Sequence, residues 1–240
     1  MPLPKINTPT YELELPSTGK KVRYRPFLVK EEKILIMALE TEDMKQISNS
    51  VVQILNDCIL SRGVKVKDLS TFDIEYLFLN IRAKSVGEEV EVNVTCPDDG
   101  ETIVQTAINI DDINVLKNPE HKDTIKLDDD LSVQMSYPSM TQFIENNFDY
   151  ANDKTDVDKS LEVIISCISQ VYNQEESWSA SDCTKKELKD FVDSMNTKQF
   201  KEVEKFFETM PKLTHTLNVK NPNTDVESEV VLEGLASFFS

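Results

Sequence analysis

The sequence has little of the material from which common catalytic and nucleotide-binding sites are built. Its 240 residues include only 5 glycines and 2 histidines, and no two glycines lie close enough to form a phosphate-binding loop. The 4 cysteines form no Cys-x-x-Cys pair, so neither a zinc ribbon nor a redox dithiol is complete. Neither histidine stands in a recognised catalytic or metal-binding pattern. We therefore expect no enzyme activity, no cofactor and no bound metal.

Long apolar runs and net positive charge are also absent. No run of about 18 apolar residues occurs, and the first residues lack the apolar core of a secretory signal. Lys and Arg number 26 against 43 Asp and Glu, and the net charge of −17 repels nucleic acid and anionic lipid. The sequence predicts a chain that stays in a cytoplasm and binds neither nucleic acid nor membranes.

What the sequence does contain is enough apolar material for a core, since 39 % of its residues are hydrophobic. We predict an α+β fold, with a mainly helical body and several antiparallel β-hairpins. The predicted regions are an N-terminal hairpin arm (1–29), a first helical group (30–87), a β-rich hairpin region (88–138), a second helical group (139–211) and a C-terminal hairpin and tail (212–240). Residues 29–240 are expected to form one compact body.

Apolar spacing and capping residues predict individual helices. The run 34–39 is mostly apolar and is expected to be buried on most sides. Ser70 followed by Asp73 is typical of a capped helix, which ends at Gly87. From residue 139 onward the chain is predicted to be helical. The apolar faces of that region include Leu161, Ile164, Ile165 and Ile168 on one helix, with Phe191 and Phe207 as core residues of two others.

Charge is polarised along the chain, because the first forty residues contain seven basic and five acidic side chains. Segments 11–15 and 21–25 alternate apolar and charged residues around a turn at 16–19, which predicts a β-hairpin. Its acidic strand faces Lys21, Arg23 and Arg25. Two interpretations stay open: the charges satisfy one another within the hairpin, or the basic strand docks an acidic partner.

Two later segments share the pattern Asn-Val-x-x-Pro, at 93–97 and 218–222, and each leads into a turn. The pattern suggests two similar hairpins, although turn chemistry alone also explains it. A zinc knuckle needs Cys-Pro-x-Cys-Gly, whereas Asp99 stands at the second cysteine position after Cys96. Asn221 and Thr224 stand at the matching positions of the later turn. We expect turns that resemble those of a zinc ribbon but hold no metal.

Two aromatic segments allow either a structural or a binding role. Phe27 lies in the segment 25–33, which is either a corner between strand and helix or a contact site. Phe238 and Phe239 near the C-terminus either fold back into the core or anchor a partner. The predicted partner-binding residues are Lys21, Arg23, Arg25, Phe27, Phe238 and Phe239.

Several stretches together resemble one known family. They are residues 15–20 (LPSTGK), 24–33 (YRPFLVKEEK), 198–200 (KQF) ahead of 206–211 (FFETMP), and 232–235 (LEGL) ahead of the two terminal phenylalanines. They are similar to the baseplate hub and hub-assembly family of contractile-tailed bacteriophages of the T-even type, over almost the whole chain. The resemblance implies a non-enzymatic protein that helps to build the central hub of the tail baseplate. It acts there as a hub subunit or as an assembly factor.

The resemblance also implies partners and places. The partners are other phage hub or tail proteins, and the location is the virion tail baseplate or the host cytoplasm during assembly. An assembly chaperone would be absent from the mature virion. Two further functions stay open: a tail-associated cell-wall hydrolase that uses acidic residues such as Asp98 or Asp128, and an acidic scaffold protein unrelated to phage. The sequence leaves the oligomeric state open.

Overall fold

The computed structural model of the protein describes residues 6–142, 156–234 and 237. By its internal contacts the chain divides into two compact units. The first unit combines Met1–Leu116 with Lys212–Ser240, and the second unit is Lys117–Pro211. Both contain helices and antiparallel strands, so the predicted α+β class is confirmed. The finer regional boundaries given above stay predictions. Within the described residues no helix is long and apolar enough to cross a membrane.

The first unit begins with the predicted hairpin. Strand β1 (Tyr11–Glu14) pairs with β2 (Lys21–Tyr24) in an antiparallel register that sets Tyr11 opposite Tyr24. Alternation puts Val22 and Tyr24 into the core and leaves the charged residues outside. The turn closes through Gly19, whose φ of 69° lies in the left-handed region that favours glycine.

Three helices follow: α1 (Val29–Leu39), α2 (Met44–Cys58) and α3 (Thr71–Val86). The Asp43 side chain caps α2 by accepting hydrogen bonds from the N–H groups of Lys45 and Gln46. The Ser70 side chain caps α3 by accepting from the Asp73 N–H, and α3 ends at Gly87 with φ 125°. The predicted cap and end of this helix are therefore confirmed.

The remaining strands of the first unit form two sheets. Strands β3 (Glu89–Thr95) and β4 (Ile103–Asn109) make one hairpin. Strand β5 (Asn114–Leu116) and the hairpin of β10 (Lys212–Lys220) and β11 (Glu227–Glu233) make a three-stranded sheet with β10 in the middle. Side chains of both sheets and of α3 share one core, whose buried members are Leu79, Ala83, Val90, Val92, Val94, Ile108, Ile110, Ile113, Leu213, Val219 and Leu232.

The second unit is built on a four-stranded antiparallel sheet. Its strands lie in the order β6 (Thr124–Lys126), β7 (Ser132–Met135), β8 (Ile168–Tyr172) and β9 (Ser177–Ser179). Three of its helices are α4 (Asp156–Ser166), α5 (Lys185–Asp193) and α6 (Thr197–Thr209). Their apolar faces and the sheet enclose a core of Ile125, Val133, Met135, Ile164, Cys167, Ile168, Val171, Val192, Val203 and Phe206.

The sequence prediction is wrong for the part of the second unit near residue 168. The sequence predicts Ile168 on a helical face, but α4 ends at Ser166 and Ile168 pairs with Met135 in the sheet. A short apolar run fits a helix or a strand equally well by its spacing. The backbone N–H and C=O groups along one edge of β7 decide between helix and strand, because only an extended neighbouring segment can pair with them.

Candidate functional site

Two turns that are far apart in the sequence meet in the first unit. We call residues 96–100 and 221–225 the paired turns. Each closes with a hydrogen bond of 2.9 Å from its fifth N–H to its first carbonyl oxygen. The fifth residues, Gly100 and Asp225, have similar positive φ angles of 68° and 64°. The two hairpins suggested by the shared Asn-Val-x-x-Pro pattern therefore end in turns of the same conformation.

The contacts between the paired turns are made by side chains. The amide nitrogen of Asn221 lies 3.0 Å from both carboxylate oxygens of Asp98 and 2.8 Å from one oxygen of Asp99. Thr224 donates its hydroxyl to Asp98. Asn221 is 1 % exposed, so its amide is removed from competing water. The amide and the hydroxyl thus hold together two carboxylates that would otherwise repel each other.

These hydrogen bonds determine the protonation of the paired turns. Those from Thr224 and Asn221 lower the pKa of Asp98. The pKa of Asp99 is lowered by hydrogen bonds from the Thr102 side chain, the Thr102 N–H and Asn221. Burial raises the pKa of the Cys96 thiol, and the two carboxylates raise it further. At neutral pH the turns hold two carboxylates and one protonated thiol.

The side chains at the knuckle-like positions of the paired turns bond to one another. Three of the four knuckle positions are Asp99, Asn221 and Thr224, and each takes part in the hydrogen bonds just described. Across the described residues, no group of three or more His, Cys, Asp and Glu side chains is placed to hold a metal ion. The arrangement therefore joins the two hairpins by hydrogen bonds between side chains.

The acidic turn of the second unit is also engaged locally. Asp128 accepts hydrogen bonds of 2.9 and 2.8 Å from the N–H groups of Asp130 and Leu131, and these bonds lower its pKa. A general acid needs a carboxyl group whose pKa is raised by a desolvating pocket. Asp98 and Asp128, the two carboxylates considered above for a hydrolase, have lowered pKa values instead.

Lys21 and Arg23 lie on the exposed face of the first hairpin. The Nζ atom of Lys21 lies 3.1 Å from Oε1 of Glu12, and Arg23 stands opposite the same glutamate in the strand register. The backbone of Arg23 also pairs with the segment after α2, because its N–H donates to Ser61 and its carbonyl accepts from Leu60. Both basic side chains are accessible to a partner, while Glu12 and Glu14 on the same face offset much of their charge.

Arg25, by contrast, points into the first unit. Its guanidinium donates to both carboxylate oxygens of Glu31, at 2.8 and 3.4 Å, and its side chain is 14 % exposed. Burial raises the pKa of Glu31, but hydrogen bonds from Arg25, Lys30 and the Leu28 N–H outweigh it and lower the pKa to about 2. Arg25 therefore joins the end of the hairpin to the first turn of α1.

The predicted aromatic contacts divide between the described and the undescribed parts of the chain. Phe27 is half-buried, with its ring centroid 5.4 Å from that of Phe78, and its N–H donates to Ser85. It lies at the corner between β2 and α1. Phe238 and Phe239 lie outside the described residues.

The outward face of α1 is the surface that sequence reasoning missed. The prediction that the run 34–39 is buried on most sides is wrong, because Ile36, Met37 and Leu39 are 49, 67 and 43 % exposed. Val29, at the start of the same helix, is 66 % exposed. The helix packs mainly on α2, which covers only its inner side. The sequence did contain a signal for this exposed surface. An apolar run that extends around a helix is fully buried only when other elements pack on every side, and one neighbouring helix cannot cover every side. We call these four residues the α1 apolar face.

The two histidines have no catalytic setting in the described structure. His121 stacks against Tyr137 and packs at a tilt against Phe206 in the second unit, with ring centroids 5.6 and 5.0 Å away. Its Nδ1 lies 2.9 Å from the Thr209 hydroxyl. His215 lies in β10. His121 is therefore a packing residue of the second unit.

Comparison with known proteins identifies the family. A search of curated protein sequences and a search of solved structures returned no significant match. The sequence does match the family described as "T4 bacteriophage base plate protein", over residues 8–240. That match spans both compact units, and the resemblance seen in the sequence is confirmed at this level. The chain belongs to the T4 bacteriophage baseplate protein family.

Proposed function

We propose that this protein is a non-enzymatic component of the baseplate hub, or a factor that assembles the hub, and that it acts by docking onto other phage tail proteins. Membership of the baseplate family supports the setting in the phage tail. The position in the hub, the docking mechanism and the lack of catalysis are our proposals beyond membership of that family.

The observation that carries the docking proposal is the α1 apolar face. Exposed apolar side chains are common one at a time, but a cluster on one short helix marks a surface that another protein covers. The four side chains belong to an 11-residue helix, and its inner side is fixed to the rest of the unit through the pair of Arg25 and buried Glu31. A rigid apolar surface binds at a lower entropic cost than a mobile one.

The exposed basic residues of the first hairpin provide a second, polar contribution. Lys21 and Arg23 stay candidates for contact with an acidic partner. Rim charges of this kind mainly affect the rate and salt dependence of association. Arg25 and Phe27 would act indirectly, because they position the corner from which α1 starts.

Quantitative mass spectrometry of purified virions, beside a lysate of infected cells, tests the proposal and separates its two forms. A few copies per virion would identify a hub subunit. Abundance in the lysate with absence from the virion would identify an assembly factor, such as a chaperone released before maturation. A protein that is absent from virions and co-purifies with no tail protein would contradict both forms.

The docking mechanism is tested by co-expression with the other hub proteins of the same phage. We expect capture of at least one of them, and weaker capture by the variants Met37→Lys and Arg23→Glu. Ile103→Lys is the matched control for Met37→Lys, because Ile103 is 64 % exposed on β4. Equal capture by Met37→Lys and the control would show that the α1 apolar face does not dock these proteins.

A further inference from the structure

Strand β11 lies at the edge of the three-stranded sheet in the first unit, and in the described structure it pairs with β10 alone. At one end of this ladder the Gly234 N–H donates to the Leu213 carbonyl. At the other end the Asn221 N–H donates to the Val226 carbonyl. Because backbone groups alternate in direction along an antiparallel strand, every second residue of β11 points its N–H and C=O away from β10. We call these the β11 edge residues, and they are Glu227, Glu229, Val231 and Glu233.

The backbone of the β11 edge residues is available to a further strand. Among the residues that the structure describes, nothing pairs with the backbone groups of Glu227, Glu229 or Val231. At Glu233 the carbonyl accepts a hydrogen bond from the Ser237 hydroxyl. The four side chains are exposed, that of Val231 by 56 %. A free edge of this kind can pair with an extended segment of another chain.

The side chains of the β11 edge residues leave a negative charge that the sheet does not neutralise. Two lysines of β10 lie nearby, but both are engaged. Lys212 lies 2.8 Å from Glu233, and Lys220, which stands opposite Glu227 in the register, pairs with Asp225 instead. The other two glutamates of the edge have no ion-pair partner among the described residues. A basic side chain beside them would therefore be stabilised.

These charges disfavour pairing between two copies of the chain at this edge. In an antiparallel pair of β11 strands, the edge residues of one copy would stand opposite those of the other. Any register that pairs most of them sets a glutamate opposite a glutamate, because only Val231 among them is uncharged. Like charges opposite each other destabilise a ladder, whereas opposite charges stabilise it. The edge thus rejects its own copy and favours a strand with basic side chains.

We propose that the β11 edge residues bind an extended basic segment of another phage tail protein, which joins the sheet as a fourth strand. The inference rests on the docking role proposed above, and it adds a second surface with a defined partner chemistry. Lysine or arginine side chains of the segment stand opposite Glu227 and Glu229, and an apolar side chain stands opposite Val231. Main-chain hydrogen bonds supply the affinity, and the alternate side chains supply the specificity.

Other strands of the first unit fit this partner less well. Strand β1 is only four residues long, and its Glu12 is already paired with Lys21. On β3, Glu91 accepts a hydrogen bond from the Gln105 amide. Strand β4 is as long as β11, but the residues that point away from β3 carry no charge. They are Ile103, Gln105, Ala107 and Asn109. Strand β4 therefore supplies the matched control.

Amide hydrogen exchange, measured by NMR on the full chain, tests the inference. The probe is a synthetic seven-residue peptide with lysine at its first, fifth and seventh positions, valine at its third and threonine between them. In antiparallel register its lysines face the glutamates of the edge and its valine faces Val231. At a millimolar peptide concentration, exchange of the Glu227, Glu229 and Val231 amides should slow at least about twofold. A peptide with glutamate in place of each lysine should leave their exchange unchanged.

Charge exchange tests the partner chemistry. The double variant Glu227→Lys with Glu229→Lys should reverse the preference, so that the acidic peptide slows exchange at the edge and the basic peptide does not. The matched control is Glu89→Lys with Glu91→Lys, two exposed positions of β3 that give the same change in net charge. That control should keep the wild-type preference.

A proline variant tests the backbone pairing. Glu229→Pro removes an N–H that points away from β10, so it should abolish peptide binding and leave the ladder with β10 in place. Gln105→Pro, at an outward-pointing position of β4, should bind the basic peptide as the wild type does. Far-UV circular dichroism checks the folding of both variants, and the charge exchange supplies the answer if Glu229→Pro does not fold.

The inference is overturned if the basic peptide leaves exchange at the β11 edge residues unchanged, or if the basic and acidic peptides slow it equally. Failure of the proposed function gives a different result. Capture of hub proteins through the α1 apolar face, without any effect of the peptide on β11, would overturn this inference and leave the docking role intact. Charge-dependent peptide binding at β11, without capture of any hub protein, would support this inference and contradict the proposed function.

Discussion

The side-chain amide of Asn221 lies 3.0 Å from both carboxylate oxygens of Asp98, although 123 positions separate the two residues. The contact ties the hairpin of β3 and β4 to the hairpin of β10 and β11. Those two hairpins come from either side of the second unit in the sequence. A hydrogen bond within the first unit therefore links the two parts of the chain from which that unit is built.

Removing the Asn221 amide should weaken the first unit. Asn221→Ala leaves Asp98 and Asp99 without a shared donor, and we expect a loss of about 1 to 3 kcal/mol in the free energy of unfolding. Urea denaturation at pH 7 measures it. Asn223→Ala is the matched control, because Asn223 is exposed and its side-chain amide donates to Thr102. Equal effects of the two changes would contradict a special role for Asn221.

Arg23, in β2, and Arg25, which follows β2, should respond differently to charge reversal. Arg25→Glu places a second carboxylate against buried Glu31, and breaking such a pair costs about 3 to 5 kcal/mol. Arg23→Glu affects an exposed side chain and should change stability by about 0.5 kcal/mol or less. Thermal unfolding of both variants gives the comparison. If Arg25→Glu is as stable as Arg23→Glu, the Arg25 pair does not hold the corner before α1.

Glu31 should make the first unit sensitive to acid. Its pKa is about 2 in the folded protein, against roughly 4.3 in an unfolded chain. The stabilisation is complete above the unfolded value and is lost as the pH falls through the folded one. It amounts to about 3 kcal/mol at neutral pH, at 1.36 kcal/mol per pKa unit. Denaturation from pH 7 to pH 3 should show a shallower loss in Glu31→Gln than in the wild type. Identical slopes would rule out this contribution.

His121 should weaken the second unit under mildly acidic conditions. Burial lowers its pKa, although Asp123 opposes the shift. The Thr209 hydroxyl donates to the Lys205 carbonyl and so accepts from Nδ1 of His121, while the buried Nε2 has no hydrogen-bond partner in the described structure. Protonation would bury an unpaired N–H, so stability is complete above the unfolded pKa of about 6.5 and falls below it.

The fluorescence of Trp178, the single tryptophan, reports unfolding of the second unit. Midpoints in urea at pH 8 and pH 5.5 should differ more for the wild type than for His121→Phe. His215→Phe, in the first unit, should keep the wild-type difference. A His121→Phe protein with the full difference would assign the pH dependence to other groups.

The aromatic core of the second unit depends on Phe206 more than on its neighbour. Phe206 is 2 % exposed and lies between His121, Tyr137 and Phe207. Phe207 and Phe191, the core residues expected from helical spacing, are only half-buried. Phe206→Ala should cost about 3 to 5 kcal/mol, and Phe207→Ala clearly less. Trp178 fluorescence during urea denaturation measures both, and the reverse order would contradict the packing described here.

Much of the local structure could be predicted because its causes lie within a few residues. The hairpin around Gly19, the capped start of α3 at Ser70 and the turn before Gly100 all follow from turn and cap chemistry. Local chemistry could not exclude the helix predicted at residue 168. The strand found there is stabilised by β7, a partner more than thirty residues away.

The candidate binding surfaces show the same limit. Spacing identified α1 as apolar, but the number of its sides that are covered depends on the elements that pack around it. Charge patterning grouped Lys21, Arg23 and Arg25, while the fold turns Arg25 inward to Glu31 and leaves the other two outside.

The sequence by itself determined the family, the mixed α+β class and the two similar turns, because motifs, periodicity and turn residues are properties of short segments. Only the tertiary structure decided that these turns meet through Asn221 and Asp98, and that one face of α1 is left uncovered. Contacts between distant segments and the accessibility of a surface depend on how all the elements pack together, and no short segment of the sequence specifies that packing.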